Sequence, residues 1–182
     1  MTEKPSFKFA LREDLKGQEQ FLPTRGEPTA SGWDVRAAMK DKRPIVLHPF
    51  QTAKIHLGFR GIPPQGWWYE LKPRSSSFAK KSLHALYGTI DETYEGELIF
   101  ACQYIPPMEY SYLSKNGQFL EDWANYMMSN FLQIEFGDAI GQIIPVKRQE
   151  MEVVSVSNED YDNEVAKRAA QRGAGGFGST GK

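Results

Sequence analysis

One cysteine, three histidines and almost no net charge are the scarcities that bound this 182-residue chain. Cys102 alone excludes an internal disulfide and suits a reducing compartment. It sits in the run Leu98-Ile99-Phe100-Ala101-Cys102, so a packed strand thiol is expected rather than a nucleophile. His48, His56 and His84 show no paired ligand spacing, which argues against a protein-held zinc. With 22 basic against 23 acidic residues the formal charge is −1, so no overall field recruits nucleic acid or an anionic membrane. Any phosphate site must be local. No segment approaches the ~20 apolar residues of a membrane span, and the opening MTEKPSFKFALRED has no basic stretch followed by an apolar run. The expectation is a soluble, cytoplasmic protein.

What the chain does carry is short β-rich runs punctuated by proline and glycine. Phe7 to Leu11, Gly32 to Ala37, Ile45 to Leu47, Thr52 to Phe59, Trp67 to Leu71 and Leu98 to Tyr104 read as strands, and a late strand is expected to end near Val156. Many short strands at this spacing predict an all-β barrel or jelly roll. A length of 182 residues with 40% hydrophobic side chains suits a single domain over 1–182 with a real core.

Five stretches bear on chemistry. Tyr87-Gly88-Thr89-Ile90-Asp91-Glu92-Thr93-Tyr94-Glu95-Gly96-Glu97 sets a carboxylate, Asp91, and a ring, Tyr94, between glycines. That is the composition of a tight hairpin passing close to something flat, and equally of a plain surface hairpin with a solvated acid. Ala30-Ser31-Gly32-Trp33-Asp34-Val35 leads an Asp into a strand, which turn chemistry alone also explains. Leu71-Lys72-Pro73-Arg74-Ser75-Ser76-Ser77 ends a strand and offers an Arg, hydroxyls and backbone N–H groups to an anion, or forms a solvated basic turn. Gly137-Asp138-Ala139-Ile140-Gly141-Gln142 feeds a buried strand in which Gln142 is the polar exception and needs partners from backbone or ligand. The ending, Arg172-Gly173-Ala174-Gly175-Gly176-Phe177-Gly178-Ser179-Thr180-Gly181-Lys182, reads as a disordered tail or as a nest of N–H groups for phosphate.

In this order the five stretches resemble the motifs of the trimeric dUTPase family, across about residues 7–104 and 131–182. SGWDV resembles the first motif, PRSSS the second, GTIDETYEG the third, GDAIGQ the fourth and RGAGGFGSTG the fifth. The resemblance implies a jelly-roll or distorted β-barrel subunit and a homotrimer with shared active sites. It also implies a mobile C-terminal arm at about 161–182, and to the family's frame the chain adds a short helical insert at about 105–130. The implied reaction is hydrolysis of dUTP to dUMP and pyrophosphate by water attack on the α-phosphorus, which keeps uracil out of DNA and supplies dUMP. By the same resemblance Asp91 is the water-activating carboxylate and Tyr94 packs beneath the deoxyribose, while Ala85, Gly88 and Ile90 lie in the backbone that reads uracil. Arg74, Ser75, Ser76 and Gln142 are implied to hold phosphates, joined by Arg172, Gly178, Ser179 and Thr180 from the arm, and Phe177 to stack on the base. Mg2+ is implied, chelated by the triphosphate, with Asp34 an outer-shell anchor through water. Ala85 stands where some relatives carry an Asn that helps read the base, and Ser76 where many carry Gly.

Between Tyr104 and Phe131 the chain exceeds a minimal family member. Gln118 to Leu132 sets Leu120, Trp123, Ala124, Met127, Met128 and Phe131 at helical spacing, a stripe that demands burial against the same trimer or a protein partner. Some phage members carry inserts here, so the resemblance extends to a phage origin, the host cytoplasm and a second, regulatory role. Two rival readings stand beside it. A dCTP deaminase-like enzyme shares the fold, and Asp34-Val35-Arg36 resembles its early strand, but Ala101 occupies the position of its general-base Glu. The other is a regulatory protein-binding module on an inactive dUTPase scaffold. Asp91, Tyr94, Arg172 and Phe177 together argue against that one.

Overall fold

Strand β6 (Trp67–Pro73) shows the rule by which this sequence folds: Tyr69 and Leu71 turn inward and are buried, while Glu70 and Lys72, alternating with them, reach the outer face. A computed structural model describes residues 5–107 and 119–168. On either side of β6 lie β11 (Ala139–Lys147) and β8 (Gly88–Ile90), and β2 (Trp33–Arg36) pairs with the far side of β11. A three-stranded sheet runs β4 (Thr52–His56), β9 (Ile99–Tyr104), β7 (Leu83–Ala85). Two strand pairs complete the framework, β1 (Lys8–Leu11) with β5 (Phe59–Ile62) and β3 (Ile45–Leu47) with β10 (Leu132–Ile134). Every ladder is antiparallel, so the expected all-β architecture is the one observed.

The inner faces meet in one core around Phe59, Tyr69, Phe100, Ile55, Leu57 and Leu83, all essentially without exposure. Burying a side chain such as Phe100 completely contributes about 1.5–3 kcal/mol. Phe7 ties the start of the chain to the large sheet, its ring lying 5.8 Å from Trp33, 5.8 Å from Trp67 and 6.1 Å from Tyr69. Pro145 sits inside β11 without harm. Strand β2 accompanies β11 only as far as Ile143, so beyond it one side of β11 is a free edge where a missing N–H breaks no ladder.

Several elements differ from the sequence expectation. Thr52 to Phe59 is two strands, because Gly58 adopts φ +76° between β4 and β5. The stretch around Asp91 is not a self-paired hairpin: β7 joins β9, whereas β8 joins β6, so two sheets share the segment. The late strand ends at Lys147 rather than near Val156. Residues 149–157 form no ladder, and apolar Met151 and Val153 are exposed. A helix, α2 (Phe119–Ser129), does occupy the insert, but Ala124, Met128 and Phe131 of the expected stripe are exposed. Its packing contacts come from half-buried Trp123, stacked 6.0 Å from Phe50, and from buried Tyr126, whose hydroxyl donates to the Pro106 carbonyl at 3.4 Å.

The chain forms two compact units, the first ending at Arg148 and the second beginning at Gln149. Within the second, α3 (Asn158–Ala166) is a helix in a stretch that reads only as polar. Its signal is Ser157 three residues before Asp160: the Ser157 hydroxyl accepts from Asp160 N at 3.1 Å and donates to the Asp160 carboxylate at 2.7 Å. Among the described residues no helix is long and apolar enough to cross a membrane.

Cys102 lies buried on the inner side of β9, and desolvation pushes its thiol up to about 11. At pH 8 a thiol reagent should leave native protein essentially unlabelled and take up one equivalent after denaturation; rapid native labelling would contradict this packing.

Candidate active site

Two groups of side chains stand out, and β6 separates them. At its C-terminal end, Asp34 of β2, Gln142 of β11 and Lys72 of β6 form one cross-strand row. Arg74 follows directly and brings Nε to 3.3 Å from Asp34 Oδ1. Both side chains are partly exposed, so the pair is worth at most about 1 kcal/mol, and its consequence is orientation rather than stability. The short helix α1 (Ser75–Ala79) begins next, with Ser75 exposed and Ser76 half-buried. Ser77 is the buried member: its hydroxyl donates to Ile140 O at 2.7 Å, and Arg74 N donates to the same carbonyl at 3.4 Å. One acceptor on β11 thus fastens the Arg74 segment to the Gln142 strand. Gly32 leaves room for the amide, since a Cβ there would fall 2.8 Å from Gln142 Oε1.

Asp91 belongs to the second group. Strand β8 ends at Ile90, which pairs with Tyr69, and Asp91 follows it, exposed, at the mouth of a cleft of about 340 Å³. Trp67, Trp68, Thr89 and Arg148 wall that cleft, and Arg148 Nη1 pairs with Glu92 Oε2 at 2.8 Å. Tyr94 N donates to Asp91 O at 3.1 Å, closing a turn that fixes the acid and the ring relative to each other. The Tyr94 hydroxyl donates to Glu97 O at 3.1 Å. Its ring faces a second cleft of about 530 Å³ that Phe9, Ala10, Arg60 and Ile62 also line.

Ala85 ends β7 and Gly88 begins β8, and each strand lies at the edge of its sheet. Edge strands keep some backbone N–H and C=O groups outside any ladder, so main chain between Ala85 and Ile90, apart from Leu86 N, which donates to Ala101 O at 3.0 Å, can face a ligand. The chain's own packing does not require glycine at 88. A Cβ there would meet Leu71 at 3.5 Å and Ile90 at 3.9 Å, both ordinary contacts.

The two groups do not meet within one chain. Asp91 lies beside the Trp68 end of β6 and Arg74 beyond its other end, roughly 20 Å apart at about 3.4 Å per residue. The expected residues therefore fall into an Asp34, Arg74, Ser75, Ser76, Gln142 set and an Ala85, Gly88, Ile90, Asp91, Tyr94 set. Arg172, Phe177, Gly178, Ser179 and Thr180 lie outside the described residues. The Trp67 and Trp68 wall was missed from sequence, because only the β6–β8 register brings it to Asp91. Ala101 lines a separate cleft with Lys54, His84, Ala85 and Gln103, and no carboxylate is among the residues around it. Among the described residues no group of three or more His, Cys, Asp or Glu could hold a metal ion.

Removing the Ser77 hydroxyl should matter in two ways. Ser77→Ala should lower stability by about 1–2 kcal/mol, because the Ile140 carbonyl keeps only its long bond to Arg74 N. It should also weaken binding of inorganic pyrophosphate by freeing Arg74; calorimetric unfolding and a pyrophosphate titration measure the two effects.

No family model matches the chain. It is 31% identical to the deoxyuridine 5'-triphosphate nucleotidohydrolase of Caulobacter vibrioides over 162 residues, covering 88% of this chain and 85% of that protein. The enzyme of the same name from Kluyveromyces lactis is 29% identical over 183 residues, covering 100% and 99% of the two chains. Among solved structures, the dUTPase of Staphylococcus bacteriophage 80alpha with dUPNHPP superposes with a TM-score of 0.69 at 22% identity, over 97% of this chain and 99% of that one. The dUTPase from phage phi11 of S. aureus, noted for a species-specific insert, gives 0.63 at 22% identity, over 84% and 97%. The jelly-roll β fold expected from the motifs is the fold of these neighbours. The sequence relatives carry the assignment further than fold: this chain belongs to the dUTPase family.

Proposed function

We propose that the chain hydrolyses dUTP to dUMP and pyrophosphate, in sites completed by a neighbouring copy of itself. The observation that carries this reading is the rigid placement of Asp91 and Tyr94 on one turn beside two edge strands. A nucleoside needs the elements gathered there: main chain to read a base, a flat ring for a sugar, and an acceptor that aims water. An ionised carboxylate only accepts hydrogen bonds, so Asp91 orients the water through its O–H groups and takes up the proton as attack proceeds. The water oxygen bonds to the α-phosphorus, the α,β-bridging bond breaks, and pyrophosphate leaves. Tyr94 presents its ring to the deoxyribose, and a ribose 2′-hydroxyl against that face loses water without gaining a partner. The 80alpha enzyme has been crystallised as an Asp→Asn and as a Tyr→Ile variant, at positions three apart, the spacing of Asp91 and Tyr94.

Arg74, Ser75, Ser76 and Gln142 donate hydrogen bonds to the phosphates, and their separation from Asp91 along β6 supports a site shared between copies. The family resemblance supports a homotrimer as that assembly. Phe78, Leu86 and Tyr87 are apolar and largely exposed on the single chain, as surface awaiting a neighbour would be. The arm residues Arg172, Phe177, Gly178, Ser179 and Thr180 close over the nucleotide in this scheme. A structural Mg(II) ion is coordinated in a variant of the phi11 enzyme. Here Asp34 is a half-buried hard oxygen donor standing alone beside Arg74, a chemistry that fits contact through water to a magnesium held by phosphates. The ion when bound neutralises triphosphate charge. Deamination of dCTP lacks its general base, since Ala101 takes that position.

Asp91→Asn should abolish most turnover, by on the order of 10²–10⁴-fold, while nucleotide affinity stays near wild type. Gly88→Ala should fold normally, since its new methyl group makes only ordinary contacts with Leu71 and Ile90, yet weaken dUTP binding by crowding the main chain that reads the base. Pyrophosphate release with dUTP, dCTP and UTP, alongside thermal unfolding, measures both; an Asp91→Asn enzyme as active as wild type would refute the assignment.

A further inference from the structure

Glu97 closes the loop that carries Asp91 and Tyr94, and its carboxylate is held from distant parts of the chain. Oε1 accepts from Arg12 Nη1 at 2.7 Å, 85 positions away, and from Gly58 N at 2.9 Å. His56 Nδ1 stands 3.1 Å from Oε2, an ion-pair distance without hydrogen-bond alignment. Arg12 is fixed in its turn. Its Nε and Nη2 donate to Asp14 at 2.6 and 3.1 Å, Nη2 also donates to Ala38 O at 3.0 Å, and its backbone N donates to Gly58 O at 2.8 Å. The Asp14 hydrogen bond, ahead of the Glu97 charge, lifts the guanidinium above its ordinary range and holds the Asp14 carboxyl below its own. Gly58 belongs to the same device: with φ +76° and Leu15 and Ala38 crowding the space of a Cβ, only glycine aims its N–H at Glu97.

The far side of Glu97 meets the ring. Its backbone carbonyl accepts the Tyr94 hydroxyl at 3.1 Å, and Gly96 lets that ring lie flat on the backbone, since a Cβ there would fall 2.5 Å from the hydroxyl oxygen. Carboxylate and carbonyl of one residue therefore link Arg12 to the tilt of Tyr94. The side chains of Arg12 and Glu97 are only 18% and 22% exposed, so neither exchanges its partner for water freely.

We infer that Arg12 and Glu97 are positioning residues that set the angle of the Tyr94 ring and, through it, the preference for deoxyribose over ribose. This rests on the reading of Tyr94 given above. A ring held at one tilt leaves no room for a 2′-hydroxyl. A ring released from Glu97 swings and admits it.

The test is kcat/KM for dUTP and for UTP, measured on the full-length protein and on Glu97→Gln, Arg12→Lys and Tyr94→Phe. Glu97→Gln keeps an acceptor for Gly58 N but loses the ion pair, and Arg12→Lys keeps the charge but loses the fork. In each the dUTP to UTP ratio should fall about tenfold, mainly through KM, with kcat for dUTP largely kept. Tyr94→Phe, which deletes the hydroxyl that reaches Glu97, should lower the ratio similarly, and adding Arg12→Lys to it should change little more. Thermal unfolding identifies the folded variants; if Glu97→Gln does not fold, the Arg12→Lys and Tyr94→Phe pair decides. An unchanged ratio, or effects of the two that simply multiply, overturns the inference. A wild-type protein that leaves dUTP intact overturns the functional reading instead.

Discussion

The antiparallel ladders on the two sides of β6 are the constraint on which the rest depends. Tyr69 pairs with both Ile90 and Pro145, and Lys72 pairs with Gln142, so the register of one strand fixes both halves of the chemistry at once. It also fixes them apart. A slip by one residue would turn Tyr69 and Leu71 out of the core, and burial of those two side chains, at about 1.5–3 kcal/mol each, holds the register firmly. The distance between Asp91 and Arg74 is thus a property of the core.

Around that spacing the local devices are conservative. Ser77 and Arg74 share the Ile140 carbonyl, Gly32 makes room for the Gln142 amide, and the Arg12–Glu97 pair anchors the loop bearing the acid and ring. None of these contacts adds more than about 1–2 kcal/mol by itself. Each removes a freedom that would blur the position of a side chain meant to touch substrate, which is the form preorganisation takes in a site built on loops at sheet edges.

Much of this was legible in the sequence, for a physical reason. Period-two burial and proline placement mark the β framework, and the five motif stretches name residues the structure sorts into two groups. What escaped depends on partners far along the chain. The Asp91 stretch has hairpin composition, yet β8 finds β6 and β7 finds β9, a choice made by core packing. Trp68 and Glu97 matter through register and through Arg12, and neither relation leaves a local pattern. In the insert, spacing alone could not tell which apolar stripe is covered: Trp123 and Tyr126 pack against Phe50 and Pro106, while Met128 and Phe131 remain exposed. The helix α3 had a readable cap at Ser157, but its mostly polar residues offer no apolar stripe beyond Tyr161 and Val165.

The central claim is that Asp91 of one chain works on a nucleotide whose phosphates are held by Arg74 of another. Refolding a mixture of Asp91→Asn and Arg74→Ala chains, each inactive alone, tests it directly. If the two groups come from different copies, an equal mixture should recover roughly a quarter of wild-type dUTP hydrolysis by random assortment. A mixture that stays as inactive as its components would place both groups in one chain and contradict the account.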